Sequence, residues 1–399
     1  MTSFESEWHT AALSDVCDVA PRDAPLSADA PFVPMDAVTI GERWPSYYET
    51  RGTRAGVRAQ AGDVLFARIT PCLENGKLAQ VPPDLERVGG STEFIVVRPG
   101  NLVDGGYLYF WCMEPSVRSK AKALMAGATG RMRLGATDLG QFRIPLPPLD
   151  EQRRIVELLE DHLSRLDSAD GGLANSMHRL NALKLSVLSE LHDGDSVPLA
   201  ELAWDSGYGT SEKCVVDGPG VPVVRIPNLV NGVVDLTDEK RVADVNADVS
   251  SSMLATDDLL IVRTNGSVDL IGRSAVVQDG IDAAFASYLI RYRVHGERVR
   301  PAWVQAMLST PQVRRTINPL AASSAGQHNL SLAKLDPLEL PVPSLEQQDA
   351  GLARLREVEE RIAALRSGIS RARSYSTALR RSLLAAAFSG QLTAEMATA

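Results

Sequence analysis

An α+β chain is predicted, with two tandem β-rich domains joined by two long antiparallel coiled-coil helices in a pseudo-two-fold dumbbell. Three observations predict it. The chain repeats itself at a nearly constant offset. Each copy opens on short apolar runs broken by Gly, Pro and Asn. Each copy closes on a long stretch of heptad spacing.

The repeat comes first, because the other elements are located by it. Asp63-Val64-Leu65-Phe66-Ala67-Arg68 is echoed by Asp258-Leu259-Leu260-Ile261-Val262-Arg263, and 258 − 63 = 263 − 68 = 195. The stretch from Ser91 to Arg98 maps onto Ala286 to Arg293 at the same offset. Pro115-Ser116-Val117-Arg118 matches Pro311-Gln312-Val313-Arg314 at 311 − 115 = 196, as do Gly130 with Gly326 and Leu134 with Leu330. Ile144-Pro145-Leu146-Pro147 matches Leu340-Pro341-Val342-Pro343, and Glu151-Gln152 is aligned with Glu346-Gln347. Register held over so long a span marks a true duplication.

Within each copy, an amphipathic helix is expected at Tyr107 to Met113 and at Trp303 to Leu308. Pro-punctuated segments, Ile144 to Pro148 and Leu340 to Pro343, close the globular parts. The boundaries read as domains over 1–148 and 193–343, and helices over 149–192 and 344–399. In the first helix Leu159, Leu166, Leu173, Leu180 and Val187 fall seven apart. In the second, Leu355, Ile362 and Ile369 form one seam, and Val358, Leu365, Ala372 and Leu379 another. That period winds helices around each other. Ser344-Leu345-Glu346-Gln347 is a capping-box start. About forty residues per helix give roughly 60 Å of length. Gly171-Gly172 predicts a local break, at about 1 kcal/mol per Gly relative to Ala.

Composition narrows the classes. With 399 residues, 44% apolar and 23% charged, the chain is globular and large enough for two or three cores. There is no run of eighteen apolar residues, and MTSFESEWHT has neither a basic nor an apolar leader, so a cytoplasmic location without a membrane span is expected. Cys17, Cys72, Cys112 and Cys214 lie too far apart for a CxxC knuckle and fit free thiols. The net charge of −9 argues against a protein that coats nucleic acid indiscriminately.

Catalytic constellations are missing. No GxxxxGK[ST], strand-following GxGxxG, GxSxG or HExxH occurs, and the six histidines show no metal spacing. Pro83-Asp84 with Glu93 lacks the lysine of a metal-dependent nuclease, and Asn318-Pro319-Leu320 is not a [DNS]PP[YF] methylation motif. No catalytic residue, metal or cofactor is therefore assigned to this chain.

What remains is hydrogen-bonding and basic chemistry at matched places. Val117 to Arg133 holds Arg118, Lys120, Lys122, Arg131 and Arg133 and no acid. Arg291 to Arg315 holds six arginines against Glu297. The loop from Arg68 through Thr70 and Asn75 to Lys77 follows an apolar run, and so does Arg263-Thr264-Asn265-Gly266-Ser267. Arg, Asn and Thr are the residue types that read base edges and phosphates, although Asn-Gly is also a hairpin signal. Gly207 to Lys213 adds Tyr208, Thr210, Ser211 and Lys213, and a polar turn holds Gln327, His328 and Asn329. Taken singly, a turn or a solvated helix face would explain each of these.

Taken together, these strings resemble the specificity subunits of type I restriction–modification systems over essentially the whole chain. The resemblance is carried by GDVLFARITPCLENGK (Gly62 to Lys77), GYGTSEK (Gly207 to Lys213), VRIPNLVNG (Val224 to Gly232) and GQHNLSL (Gly326 to Leu332). PLPPLDEQRR (Pro145 to Arg154) and LAAAFSGQL (Leu384 to Leu392) add to it. It implies two target-recognition domains reading an asymmetric split site in double-stranded DNA, with the paired helices as ruler. It also implies docking of two methyltransferase subunits, which use S-adenosylmethionine on adenine, and of restriction subunits. The DNA-binding candidates named so far are joined by Arg225, Asn228 and Arg273. The first domain departs from the pattern, with Asp15 to Ala20 standing where the second domain has GYGTS. The competing reading is a coiled-coil interaction scaffold without a DNA role, which predicts no salt-dependent DNA binding.

Overall fold

The computed structural model describes residues 8–128, 131–321 and 328–394. Two compact units form, Met1–Leu173 with Ser370–Ala399 and Ala174–Ile369. Both long helices, Leu149–Glu190 and Leu345–Phe388, run through the division, so each unit has one β-rich body and part of each helix.

In the first unit, Val64–Ala67 is buried at every position, because it is flanked by antiparallel Phe94–Pro99 and Leu78–Gln80 and covered on both faces. Val64 and Phe66 face a core with Ile95, Val97 and the helix Gly105–Met113. Leu65 and Ala67 face the other way, into a core with Phe94, Val96, Val33 and Val88. The second face is completed by a four-stranded sheet of Glu49–Thr50, Pro31–Val33, Arg87–Gly90 and Val57–Gln60. Alternation is invisible in such a strand, since both faces are apolar. Cys17–Val19 completes the first sheet at its far edge.

The second unit repeats this plan. Leu259–Val262 lies between Leu289–Val294 and Ser274–Val276, and Ala203–Tyr208 forms the edge beside Leu289–Val294. The expected short helices span Gly105–Met113 and Pro301–Leu308, and each is followed by another, Pro115–Ala123 and Pro311–Leu320. Thr310 starts the last of these, its Oγ1 accepting from the Val313 N–H at 3.3 Å.

Matched buried polar groups fasten each body to its long helix. Gln152 and Gln348 are both fully buried. Gln152 accepts from the Asp104 N–H at 2.8 Å and donates to the carbonyls of Leu102 and Pro147, both at 2.9 Å. Gln348 accepts from the Arg300 N–H at 2.8 Å and donates to Arg298 O at 3.1 Å and Pro343 O at 2.8 Å. All partners are related by 196, which corrects the alignment of Gln152 with Gln347: its counterpart is Gln348, and Gln347 instead caps its own helix through Ser344. Tyr107 and Trp303 hold the same relation, donating to Pro145 O and Pro341 O at 3.0 and 2.8 Å.

A buried ion pair also recurs. Arg98 contacts Asp23 and the fully buried Asp63, and Arg293 contacts Asp258 and Asp205. Asp63 accepts from the Gln60 N–H and Asp258 from the Ala255 N–H, each at 2.9 Å. The Arg98 guanidinium holds the Asp23 carboxyl below its ordinary value.

Two expectations about the long helices are corrected. No break occurs at Gly171-Gly172; the first helix is continuous from Leu149 to Glu190. Two weak residues are carried by the cooperativity of so long a helix. Nor is the second seam buried. Leu159, Val187, Leu355 and Ile362 are enclosed, but Leu365 and Leu379 remain 53% and 49% exposed, because a pair of helices covers one stripe on each partner. Arg380 pairs with Asp167 and Asp170 in the first unit, and Arg354 with Glu190 in the second. No helix of the described residues is long and apolar enough to cross a membrane.

Candidate nucleic-acid interface

Three chain segments meet at one end of each sheet, and the backbone joins them identically in the two units. The Arg68 N–H donates to Glu93 O and Arg68 O accepts from the Leu134 N–H, both at 2.9 Å. The Arg263 N–H donates to Tyr288 O at 2.9 Å, and Arg263 O accepts from the Leu330 N–H at 2.8 Å. The loop after the central strand, the turn before its neighbour and a returning segment are thus tied at one arginine in each unit. Glycine is required in the loop: Gly76 and Gly272 have φ of 78° and 75°, and a Cβ on either would lie 2.7 Å from the guanidinium of Arg118 or Arg314.

In the first unit, Thr70 locks this arrangement, its N–H donating to Met132 O and its Oγ1 accepting from the Met132 N–H, both at 3.1 Å. Arg133 holds Glu93 in a bidentate pair at 2.6 and 2.9 Å, which keeps the Glu93 carboxyl below its ordinary value. Arg131 is exposed, with no ion partner among the described residues. Arg68 is half-buried, and its Nε is enclosed without a partner. Asn75 is exposed at the loop tip. Lys122 pairs with Glu74 at 2.9 Å, and Lys77 turns inward to Met35 O at 2.8 Å.

In the second unit, Tyr208 is 43% exposed, and the Arg263 guanidinium lies 4.4 Å from its ring centre. Tyr208 Oη accepts from the Leu332 N–H at 3.1 Å. Arg263 donates to Leu330 O, Ser287 O and Asn329 Oδ1 at 3.3 to 3.4 Å. Thr264 and Asn265 pair with Asn329 and His328 as short strands, and Asn265 Oδ1 accepts from the Ser267 N–H at 2.8 Å. Thr210 joins the group through the backbone of Phe285 and Ser287, with Ser211 and Lys213 exposed just beyond it. Gly209 permits this approach, because a Cβ there would sit 2.1 Å from Phe285 O.

Not all sequence candidates belong to these clusters. Asn228 is 1% exposed, and its amide is used by the Arg225 N–H and by Asp235 O and Asp238 O, so it shapes a turn. Arg225 grips Asp238 through Oδ2 and the carbonyl, at 2.9 and 2.7 Å. Arg273 lines a separate cleft of about 1170 Å³ with Trp204, Arg293 and Gln305. Gln327 lies outside the described residues. The matched basic runs are also corrected as open binding surfaces. Arg291, Arg293, Arg300 and Arg314 contact Asp205, Asp258, Asp349 and Ile271 O, and Lys120 lies 4.4 Å from the Phe142 ring centre. Glu93 and Tyr288, which the repeat aligns but the sequence does not single out as candidates, also lie at these clusters; the apolar strand residues that follow each of them mark the segment as core.

A family model described as the type I restriction modification DNA specificity domain matches residues 5–173. Residues 5–173 are thus similar to that specificity domain, and the curated proteins that the chain resembles over three quarters of its length are specificity subunits of type I restriction enzymes. Among curated relatives, the StySPI specificity subunit of Salmonella potsdam is 24% identical over 75% of this chain and 68% of its own length. The EcoKI specificity subunit of Escherichia coli K12 gives the same identity and shares. A chain solved under the description "structural basis underlying complex assembly and conformational transition of the type I R-M system" has a TM-score of 0.81, with 20% identity over 98% of this chain and all of that one. The HsdS subunit of Thermoanaerobacter tengcongensis has a TM-score of 0.60 at 22% identity, covering 97% of this chain and 98% of that one. At these identities the specificity fold is what the solved chains share with this protein.

Proposed function

We propose that this chain is the DNA-recognition subunit of a type I restriction–modification enzyme and reads an asymmetric bipartite site in double-stranded DNA. The observation that carries this is the pairing of one backbone plan with two side-chain sets. The arginine-anchored face presents Ile69, Thr70, Glu93 and Arg133 in one unit, and Thr264, Asn265, Tyr288 and Asn329 in the other. A shared frame with different hydrogen-bonding groups suits two half-sites of different sequence.

On this reading residues 1–148 and 193–343 are the reading domains, and 149–192 and 344–399 are spacer helices and tail. The helices scaffold two methyltransferase subunits and restriction subunits in the cytoplasm. Chemistry resides in the partners, with S-adenosylmethionine used by the methyltransferase for adenine. Base-resolution methylation sequencing of a host with and without the gene tests this. Loss of adenine methylation at one split asymmetric motif is the expected result, and an unchanged methylome with the methyltransferase co-purifying and active refutes it. Arg68→Ala and Arg263→Ala should each abolish recognition at one half-site while leaving subunit assembly intact.

A further inference from the structure

The shared plan makes one difference between the units readable. In the second unit the edge strand runs on to Tyr208, opposite Ile290. In the first, Val19 pairs with Val97, the Ala20 N–H donates to Val96 O, and the chain turns away at Ala20 with φ of 60°. Since Ile290 corresponds to Ile95 (290 − 95 = 195), the place of Tyr208 falls to Pro21.

Among the described residues no ring therefore covers Arg68 as Tyr208 covers Arg263. A cleft of about 380 Å³ opens beside it, lined by Pro21, Arg22, Arg58, Arg68, Thr92 and Val96. Three guanidinium-bearing side chains converge there. Arg68 Nε is enclosed without a partner, and Arg22 is exposed with no ion partner among the described residues. Arg58 donates to Asp23 O. Asp23, the one acid on the lining, has both carboxylate oxygens on Arg98 at 2.9 and 2.7 Å. The nearby carboxylates of Asp23 and Glu93 act on Arg58 and Arg68 but are hydrogen-bonded to Arg98 and Arg133, so the cleft keeps an excess of positive charge that suits an anion; planar guanidinium forks with a hydroxyl match the oxygens of a phosphate.

We propose that this cleft seats a backbone phosphate of the bound duplex, an anchor present in the first unit and filled by Tyr208 in the second. The proposal rests on the DNA-recognition reading and deepens it. A phosphate contact fixes the duplex on the first unit without reading sequence, so affinity and salt dependence move while the motif does not.

The test uses the full chain assembled with its methyltransferase subunit and a duplex carrying the motif found by methylation sequencing. Binding is measured across about 50 to 200 mM salt for the wild type, Arg22→Ala and Arg58→Gln. Each variant should lower the magnitude of the slope of log K against log salt by about 0.9, one phosphate's worth, with the methylated motif unchanged. An undiminished slope overturns the proposal, and so does an altered motif, which would make these arginines base readers. Stabilisation by inorganic phosphate alone, lost in Arg22→Ala without a change in DNA slope, would assign the cleft to a free anion and also overturn it. Wild-type complex that does not bind the duplex would bring down the recognition reading itself.

Discussion

Replacing Gln348 by Ala removes a side chain that is fully buried and makes three hydrogen bonds to backbone groups. The Arg300 N–H and the carbonyls of Arg298 and Pro343 lose their partner inside the protein. At about 1 kcal/mol or more for each unsatisfied buried group, the loss is about 3–4 kcal/mol. For a unit of this size, about 2–4 °C of melting temperature per kcal/mol converts that into about 6–16 °C. Scanning calorimetry of the full chain reads the shift, and Gln152→Ala should produce a similar one. Gln348→Glu separates hydrogen bonding from packing. It keeps the acceptor for Arg300 but turns two donors toward carbonyls as acceptors, so at neutral pH it should destabilise at least as much as Ala. A shift below about 2 °C for Ala, or a neutral-pH Glu variant as stable as wild type, would refute the reasoning.

Asn228→Ala should destabilise by about 2 kcal/mol, since its buried amide serves three backbone groups, and leave the methylated motif unchanged; an altered motif would return Asn228 to the reading surface. Gly209→Ala should displace the Tyr208 loop, because its Cβ would meet Phe285 O at 2.1 Å, and reduce methylation through the second half-site several-fold; full activity would show that the loop does not read. The Glu93 and Asp23 carboxyls are held below their ordinary values of 4.5 and 3.8 by Arg133 and Arg98. Their depressed folded-state values add stability that is present above the ordinary values and lost as pH falls through the folded ones. Melting temperature should therefore drop on acidification below about pH 4.5, more steeply for wild type than for Arg98→Met, and parallel curves would contradict this.

Several parts of the architecture were legible in the chain because duplication and heptads are periodic. The offset of 195 to 196 located two copies of the central strand, at Val64 and Leu259, and of its neighbour within Ser91 to Arg98 and Ala286 to Arg293, and the seven-residue spacing located both long helices. The candidate site was legible only as loops, since side-chain type does not say whether a polar group is already engaged. Asn228 and Asn329 look alike in sequence, yet one is enclosed by three backbone groups and the other sits on the face beside Arg263. Arg291 and Arg314 read as surface charge in the sequence, yet Asp205 and Ile271 O lie against them.

By itself the sequence determined that the protein is doubled, that each half ends in a long helix, and that an arginine follows each central strand. These are local and periodic properties, set by hydrophobic spacing and turn chemistry. Tertiary structure decided which charges are free, that Gln348 and not Gln347 matches Gln152, and that Tyr208 covers one arginine while a cleft opens at the other. Those outcomes depend on groups from distant segments arriving within hydrogen-bonding distance, and no spacing along the chain encodes that.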